Sequence, residues 1–87
     1  ADNSLYWIGE CHYAKKKYAE AIATFNELLA KYRDGDKVPA ATLKKGYALL
    51  EMGRQSEGTS ILKELISRFP LSEESSLAQQ KIKEFNE

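Results

Sequence analysis

Apolar residues recur at helical spacing in two long segments of the chain. In the first segment they fall three or four positions apart over four turns, so they share one face of a helix. The second segment repeats this pattern and stops at Pro70, which disfavours helix at the residue before it. No stretch alternates apolar and polar residues as a half-buried strand does. The apolar residues are Tyr18, Ala21, Ile22, Phe25, Leu28, Leu29 and Tyr32 in the first segment, and Ile61, Leu62, Leu65, Ile66 and Phe69 in the second.

Residues typical of helix ends indicate three more helices in the gaps. Pro39 is favoured in the first turn of a helix, and Gly53 suits the position just past the end of one. Ser72, followed by two glutamates, supplies a cap and two acids at a helix N-terminus. The pattern therefore predicts an all-α chain. Its five helices are expected near residues 3–14, 18–32, 38–52, 55–69 and 72–86.

The two halves of the chain align with each other at an offset of 37 residues. Each unit is a helix, a short turn and a longer helix, with small residues aligned to small ones and large apolar residues to large apolar ones. Glycine in a helix interior costs about 1 kcal/mol relative to alanine, so we expect close helix packing at these sites to compensate. The aligned pairs are Tyr6 with Leu43, Gly9 with Gly46, Tyr13 with Leu50, Ala21 with Gly58, Leu28 with Leu65, Leu29 with Ile66, and Tyr32 with Phe69.

These spacings resemble the tetratricopeptide repeat (TPR), whose pattern is Trp-x-x-Leu-Gly-x-x-Tyr, then Ala-x-x-x-Phe, then Pro. Among the departures from it, Arg33 stands in place of Pro and Lys45 in place of Leu, and the unit is three residues longer than the usual ~34, an excess best placed in Arg33–Pro39. The first copy is Leu5-x-x-Ile8-Gly9-x-x-His12 with Ala21-x-x-x-Phe25, and the second is Thr42-x-x-Lys45-Gly46-x-x-Leu49 with Gly58-x-x-x-Leu62 and Pro70.

The resemblance implies a right-handed α-α superhelix formed by residues 1–87 as a single domain. Repeat 1 would span about residues 2–35, repeat 2 about 38–70, and a capping helix 71–86. Stable repeat arrays usually need at least three units. We therefore expect either neighbouring repeats in a longer protein or a homo-oligomer of this chain.

A longer phrase resembles the C-terminal TPR domains of the periplasmic cell-division coordinators of bacterial Tol–Pal systems. Similar repeats occur in the outer-membrane lipoproteins of the barrel-assembly machinery. The first resemblance implies a periplasmic adaptor that binds an envelope protein of the Tol system, although this segment contains no signal peptide. The phrase is Asp2-Asn3-Ser4-Leu5-Tyr6-Trp7-Ile8-Gly9-Glu10-Cys11, with Tyr18-x-x-Ala21-Ile22-x-x-Phe25 and Leu28-Leu29-x-Lys31-Tyr32.

Composition argues against several other functions. Thirteen basic residues balance thirteen acidic ones, whereas nucleic-acid binders usually carry a basic domain or stripe. A single cysteine excludes an internal disulfide and a Cys-based zinc cluster. No apolar run approaches the ~20 residues of a membrane span. We expect no nucleic-acid partner and no direct membrane insertion.

The sequence predicts no enzyme, no metal site and no cofactor. Cys11 and His12 are adjacent on a predicted helix, so their side chains diverge by about 100° and cannot form a reactive pair. We expect His12 to occupy the position of the repeat's tyrosine and Cys11 to be a buried or half-buried apolar residue. No glycine-rich phosphate loop and no metal-ligand spacing is present.

The TPR resemblance implies a concave groove lined by the first helix of each pair. Tyrosine is favoured at binding hot spots because it joins apolar area to a hydroxyl. Tyr47 is predicted to be exposed, since it aligns with the charged Glu10. Packing within the core is the alternative for each aromatic residue. Structural stacking of repeats is the alternative to partner binding. The predicted groove residues are Asn3, Tyr6, Glu10, Tyr13, Leu43, Tyr47 and Leu50.

Overall fold

A computed structural model describes residues 2–86, with side chains for residues 4–85, and contains five α-helices. The five predicted helices are confirmed to within one residue at each end, and residues 2–86 contain no strand. The helices are α1 (Asp2–Ala14), α2 (Tyr18–Lys31), α3 (Val38–Glu51), α4 (Gln55–Arg68) and α5 (Glu73–Asn86).

The helices form two layers. Each helix packs against its neighbours in the chain; in addition α1 contacts α3, and α3 contacts α5. Helices α2 and α4 do not pack against each other. The molecule measures 37 × 28 × 16 Å, and its thickness suits two layers of helices spaced about 8–10 Å apart. One layer therefore contains α1, α3 and α5, and the other contains α2 and α4.

Glycine allows the two helices of each pair to come close together. A Cβ atom built on Gly9 would lie 2.5 Å from Cε1 of Phe25, and one on Gly46 would lie 2.5 Å from Cδ2 of Leu62. A Cβ on Gly58 would lie 3.0 Å from the carbonyl oxygen of Gly46. Side chains at these positions would therefore force the helices apart, as the aligned small residues predict.

Two buried clusters form the core, and both extend across the helix pairs. In the first, Ala41 of α3 is fully buried against residues of α2. In the second, Ala78 of α5 is fully buried against residues of α4. Ala41 and Ala78 are also 37 residues apart, so α5 stacks on α4 as α3 stacks on α2. The clusters consist of Ala21, Phe25, Leu28 and Ala41, and of Leu43, Leu50, Leu62, Leu65 and Ala78.

The first helix of each pair ends in the same backbone motif. The amide of Lys17 donates to the carbonyl of His12 at 2.8 Å, and the amide of Arg54 donates to that of Leu49 at 2.9 Å. These are the six-to-one bonds of a Schellman C-cap. Gly53 has the left-handed conformation that this motif requires, with φ +80°. The aligned residue Lys16 adopts it too, with φ 63°, although a side chain there is strained.

Candidate functional site

Three tyrosines lie along the layer formed by α1, α3 and α5. Tyr6 and Tyr13 belong to α1, and Tyr47 belongs to α3. All three rings are half-buried, because each packs against one of the two core clusters. Each ring thus combines a fixed position with accessible area, which are the properties of an interface anchor.

Lysine ammonium groups lie over these rings. Lys44 Nζ is 5.0 Å from the ring centre of Tyr13 and 5.8 Å from that of Tyr47. Lys81 Nζ of α5 is 5.0 Å from the ring centre of Tyr47. These distances are within the ~6 Å range of cation–π attraction. The lysines therefore link all three helices of the layer through the tyrosine rings.

Glu10 completes this arrangement on α1. The hydroxyl of Tyr6 donates a hydrogen bond to Glu10 Oε2 at 3.3 Å. Lys44 Nζ lies 3.6 Å from Glu10 Oε1. We call this set the tyrosine surface. It consists of Tyr6, Glu10, Tyr13, Lys44, Tyr47 and Lys81.

The environment of the three phenols keeps them protonated at neutral pH. Burial, followed by the charge of Glu10, raises the pKa of Tyr6 to about 12. Burial, followed by the charge of Glu51, raises the pKa of Tyr13 to about 12. Burial and the charge of Glu84 also raise the pKa of Tyr47. The hydroxyls are therefore neutral hydrogen-bond donors rather than acid–base groups.

The structure corrects part of the predicted groove. Leu43 and Leu50 are each only 5% exposed and belong to the buried cluster beneath α5. They support the tyrosine surface from below, so they are not accessible to a partner. Tyr47 was predicted to be exposed, with core packing as the alternative; its ring is half-buried and packs on that same cluster. The side chain of Asn3 lies outside the described residues.

The two residues considered for chemistry do not form a site. Cys11 is exposed, contrary to the prediction of a buried or half-buried residue. Its aligned residue, Ala48, is fully buried in α3, a helix that packs against α2 as well as α4. His12 is half-buried. Among the described residues, no group of three His, Cys, Asp or Glu side chains is arranged to hold a metal ion.

A cavity on the other side of the molecule was not predicted. It has a volume of about 300 Å³ and lies between α2 and α4, with residues of α3 as its floor. Arg33, Lys45 and Arg68 are among the residues that line it. The available sequence signal was that Arg33 and Lys45 are basic residues at positions where the repeat pattern has Pro and Leu.

The repeat family accounts for this architecture. The tetratricopeptide repeat matches the chain at residues 3–35 and again at residues 40–72, which preserves the offset of 37 residues. The chain belongs to the tetratricopeptide repeat family. TPR repeats generally mediate protein–protein interaction and are not catalytic modules. No curated protein matches the chain. None of the described TPR helices is long and apolar enough to cross a membrane.

Proposed function

We propose that this TPR chain is a non-enzymatic interaction module whose tyrosine surface binds a segment of a partner protein. The observation that carries the proposal is the row of three half-buried tyrosine rings with lysines over them. Lys37 lies over Tyr6, and Lys44 and Lys81 lie over the other two rings. Large rings held by a core contribute contact area at little cost in conformational entropy. Glu10 and the lysines would give the partner segment its orientation.

The chemistry of the surface favours a partner with both apolar and polar groups. Apolar side chains of the partner would contact the exposed ring area of Tyr13 and Tyr47. Lys44 and Lys81 would attract carboxylates, whereas Glu10 would attract a basic group. Because both signs of charge are present, steering by net charge is weak and specificity depends on the order of the contacts.

The proposed setting is the bacterial periplasm, with an envelope protein of the Tol system as partner and a role in coordinating cell division. Support comes from the phrase at residues 2–11 together with the pattern of the following helix, which resembles TPR domains of that system. The repeat architecture is compatible with such an adaptor, whose work is to hold two proteins together.

Titration calorimetry with purified periplasmic domains of the Tol-system proteins tests this setting. One of these domains should bind saturably with one-to-one stoichiometry, and an unrelated periplasmic protein should not. If none of the domains binds at accessible concentrations, the Tol-system setting is wrong.

A second function, structural stacking or oligomerisation within a larger TPR protein such as an outer-membrane assembly lipoprotein, is favoured by the outer side of α1. Trp7 is 59% exposed and Ile8 is 48% exposed. Cys11, beside them on α1, aligns with Ala48, which is fully buried in α3. Another helix could therefore stack here as α2 stacks on α3.

Sedimentation velocity over a range of concentrations distinguishes the two functions. Stacking predicts self-association that Cys11→Arg abolishes, because the aligned Ala48 is fully buried and a large charged side chain would not fit at such a contact. A monomer at all concentrations, with Cys11→Arg indistinguishable from wild type, would exclude self-stacking through α1.

A further inference from the structure

The cavity between α2 and α4 carries three basic side chains. Arg33 follows the end of α2, Lys45 lies on α3, and Arg68 ends α4. Because α2 and α4 do not pack against each other, Lys45 of α3 is accessible between them. We call this site the basic cleft. It consists of Arg33, Lys45 and Arg68, with the half-buried Leu29 and Ile61 as apolar lining.

The positive charges of the basic cleft are not neutralised by ion pairs. No carboxylate of the described side chains lies within 4.0 Å of the charged groups of Arg33, Lys45 or Arg68. Glu64 is the single acidic residue that lines the cavity. The guanidinium of Arg68 lies 5.2 Å from the ring centre of Phe69. A concave site with excess charge of one sign concentrates ligands of the opposite sign.

The repeat fold does not require these charges. At the positions aligned with Lys45, α1 has Ile8 and α5 has Ile82, both apolar. At the position aligned with Arg33, the second unit has Pro70. Two basic departures from the repeat pattern, Arg33 and Lys45, therefore come from different parts of the chain and line one cavity.

We propose that the basic cleft is a second binding site, for an acidic segment of a partner protein that also carries apolar side chains. Carboxylates of that segment would pair with the two arginines, whose planar groups suit bidentate contacts, and with Lys45. An apolar side chain would fill the space lined by Leu29 and Ile61. A free phosphate would leave this apolar lining uncovered, so the combination of charge and apolar area favours a peptide. The basic cleft lies between α2 and α4 and shares no residue with the tyrosine surface, so both can be occupied together.

A nuclear magnetic resonance titration of the ¹⁵N-labelled chain tests the site with three probes. The probes are a synthetic peptide of glutamate and leucine residues, the same peptide with glutamine in place of glutamate, and inorganic phosphate. The acidic peptide should shift the amide signals of Thr42, Ile61 and Glu64, which report on the cleft separately from those of Tyr6 and Tyr13 on the tyrosine surface. The neutral peptide and phosphate should bind at least tenfold more weakly. Raising the salt concentration should weaken binding of the acidic peptide, because salt screens the attraction between charges.

Matched variants assign the binding to the cleft. Lys45→Gln combined with Arg68→Gln should weaken binding of the acidic peptide about tenfold or more without changing the melting temperature of the protein. Lys63→Gln removes a charge from the exposed part of α4 outside the cleft and should have no effect. The proposal is overturned if the acidic peptide does not bind at millimolar concentration, or if the neutral peptide or phosphate binds as well. Shifts confined to the tyrosine surface also overturn it, without contradicting the function proposed for that surface.

Discussion

At the scale of single residues, alignment within the chain predicts which positions are packed most tightly. The two glycines on α1 and α3 meet the side chains of Phe25 and Leu62, because their partner helices leave no room for a Cβ. Ala21 of α2, which aligns with Gly58 of α4, is fully buried. The sequence predicts these positions because steric size is a property of the residue itself.

Replacing Ala21 with leucine should destabilise the fold. The added atoms have no free space between α1 and α2, so we expect a cost of about 1–3 kcal/mol in the free energy of unfolding. Chemical denaturation measures this cost. Ala23→Leu on the exposed face of the same helix is the control, and it should change the free energy little. Equal effects of the two substitutions would show that Ala21 is not a packing site.

The phenol of Tyr6 should make stability depend on alkaline pH. Its pKa is about 12 in the folded chain, above the ordinary value of 10.0, so the folded state binds the proton more strongly than the unfolded state. This contribution is fully present below pH 10 and is lost as the pH rises towards 12. Tyr6→Phe removes this phenol and leaves the lysines unchanged.

Urea unfolding of both proteins between about pH 10 and pH 12 measures the effect. Wild type should lose more of its free energy of unfolding over this interval than Tyr6→Phe does. Equal losses would show that Tyr6 has no raised pKa in the folded state.

At the scale of helices, the 37-residue offset extends to the turns. Lys16 and Gly53 occupy the same left-handed place at the ends of α1 and α3. The sequence did not predict a left-handed conformation at Lys16, because three consecutive lysines at residues 15–17 are typical of an ordinary solvated turn. The hydrogen bonds that the Schellman motif gives the last carbonyls of α1 outweigh the backbone strain at Lys16.

Substitutions at these two aligned positions should have opposite effects on the stability of the fold. Lys16→Gly removes the strain of a left-handed side chain and should stabilise the fold by about 0.5–1 kcal/mol. Gly53→Ala introduces that strain and should destabilise it by about 1 kcal/mol. Thermal melts of both variants measure these changes. Lys15→Gly is the control for Lys16→Gly, since residue 15 is not left-handed. Destabilisation by Lys16→Gly equal to that of the control would contradict the motif at α1.

At the scale of the whole molecule, the fold was more predictable than its surfaces. Helix periodicity and the internal alignment are local properties, and they predicted the five helices and their pairing. The division between core and groove depends on how α5 covers α3. This is why Leu43 and Leu50 are buried although the repeat pattern placed them in the groove. The basic cleft depends on the separation of α2 and α4, which no local pattern specifies.

The tyrosine surface is tested most directly by a substitution that removes one ring and preserves the packing beneath it. Tyr47→Leu retains an apolar side chain over Leu43 and Leu50 but removes the ring that Lys44 and Lys81 contact. Tyr32→Leu is the control, because Tyr32 is also half-buried but is not part of the tyrosine surface. Thermal melts should show that both variants remain folded.

The deciding measurement is titration calorimetry of wild type, Tyr47→Leu and Tyr32→Leu against the periplasmic domains of the Tol-system proteins. Tyr47→Leu should weaken binding by about 1–3 kcal/mol, as expected for loss of a hot-spot aromatic ring, while Tyr32→Leu binds like wild type. Equal affinity of Tyr47→Leu and wild type, with both proteins folded, would contradict the assignment of partner binding to the tyrosine surface.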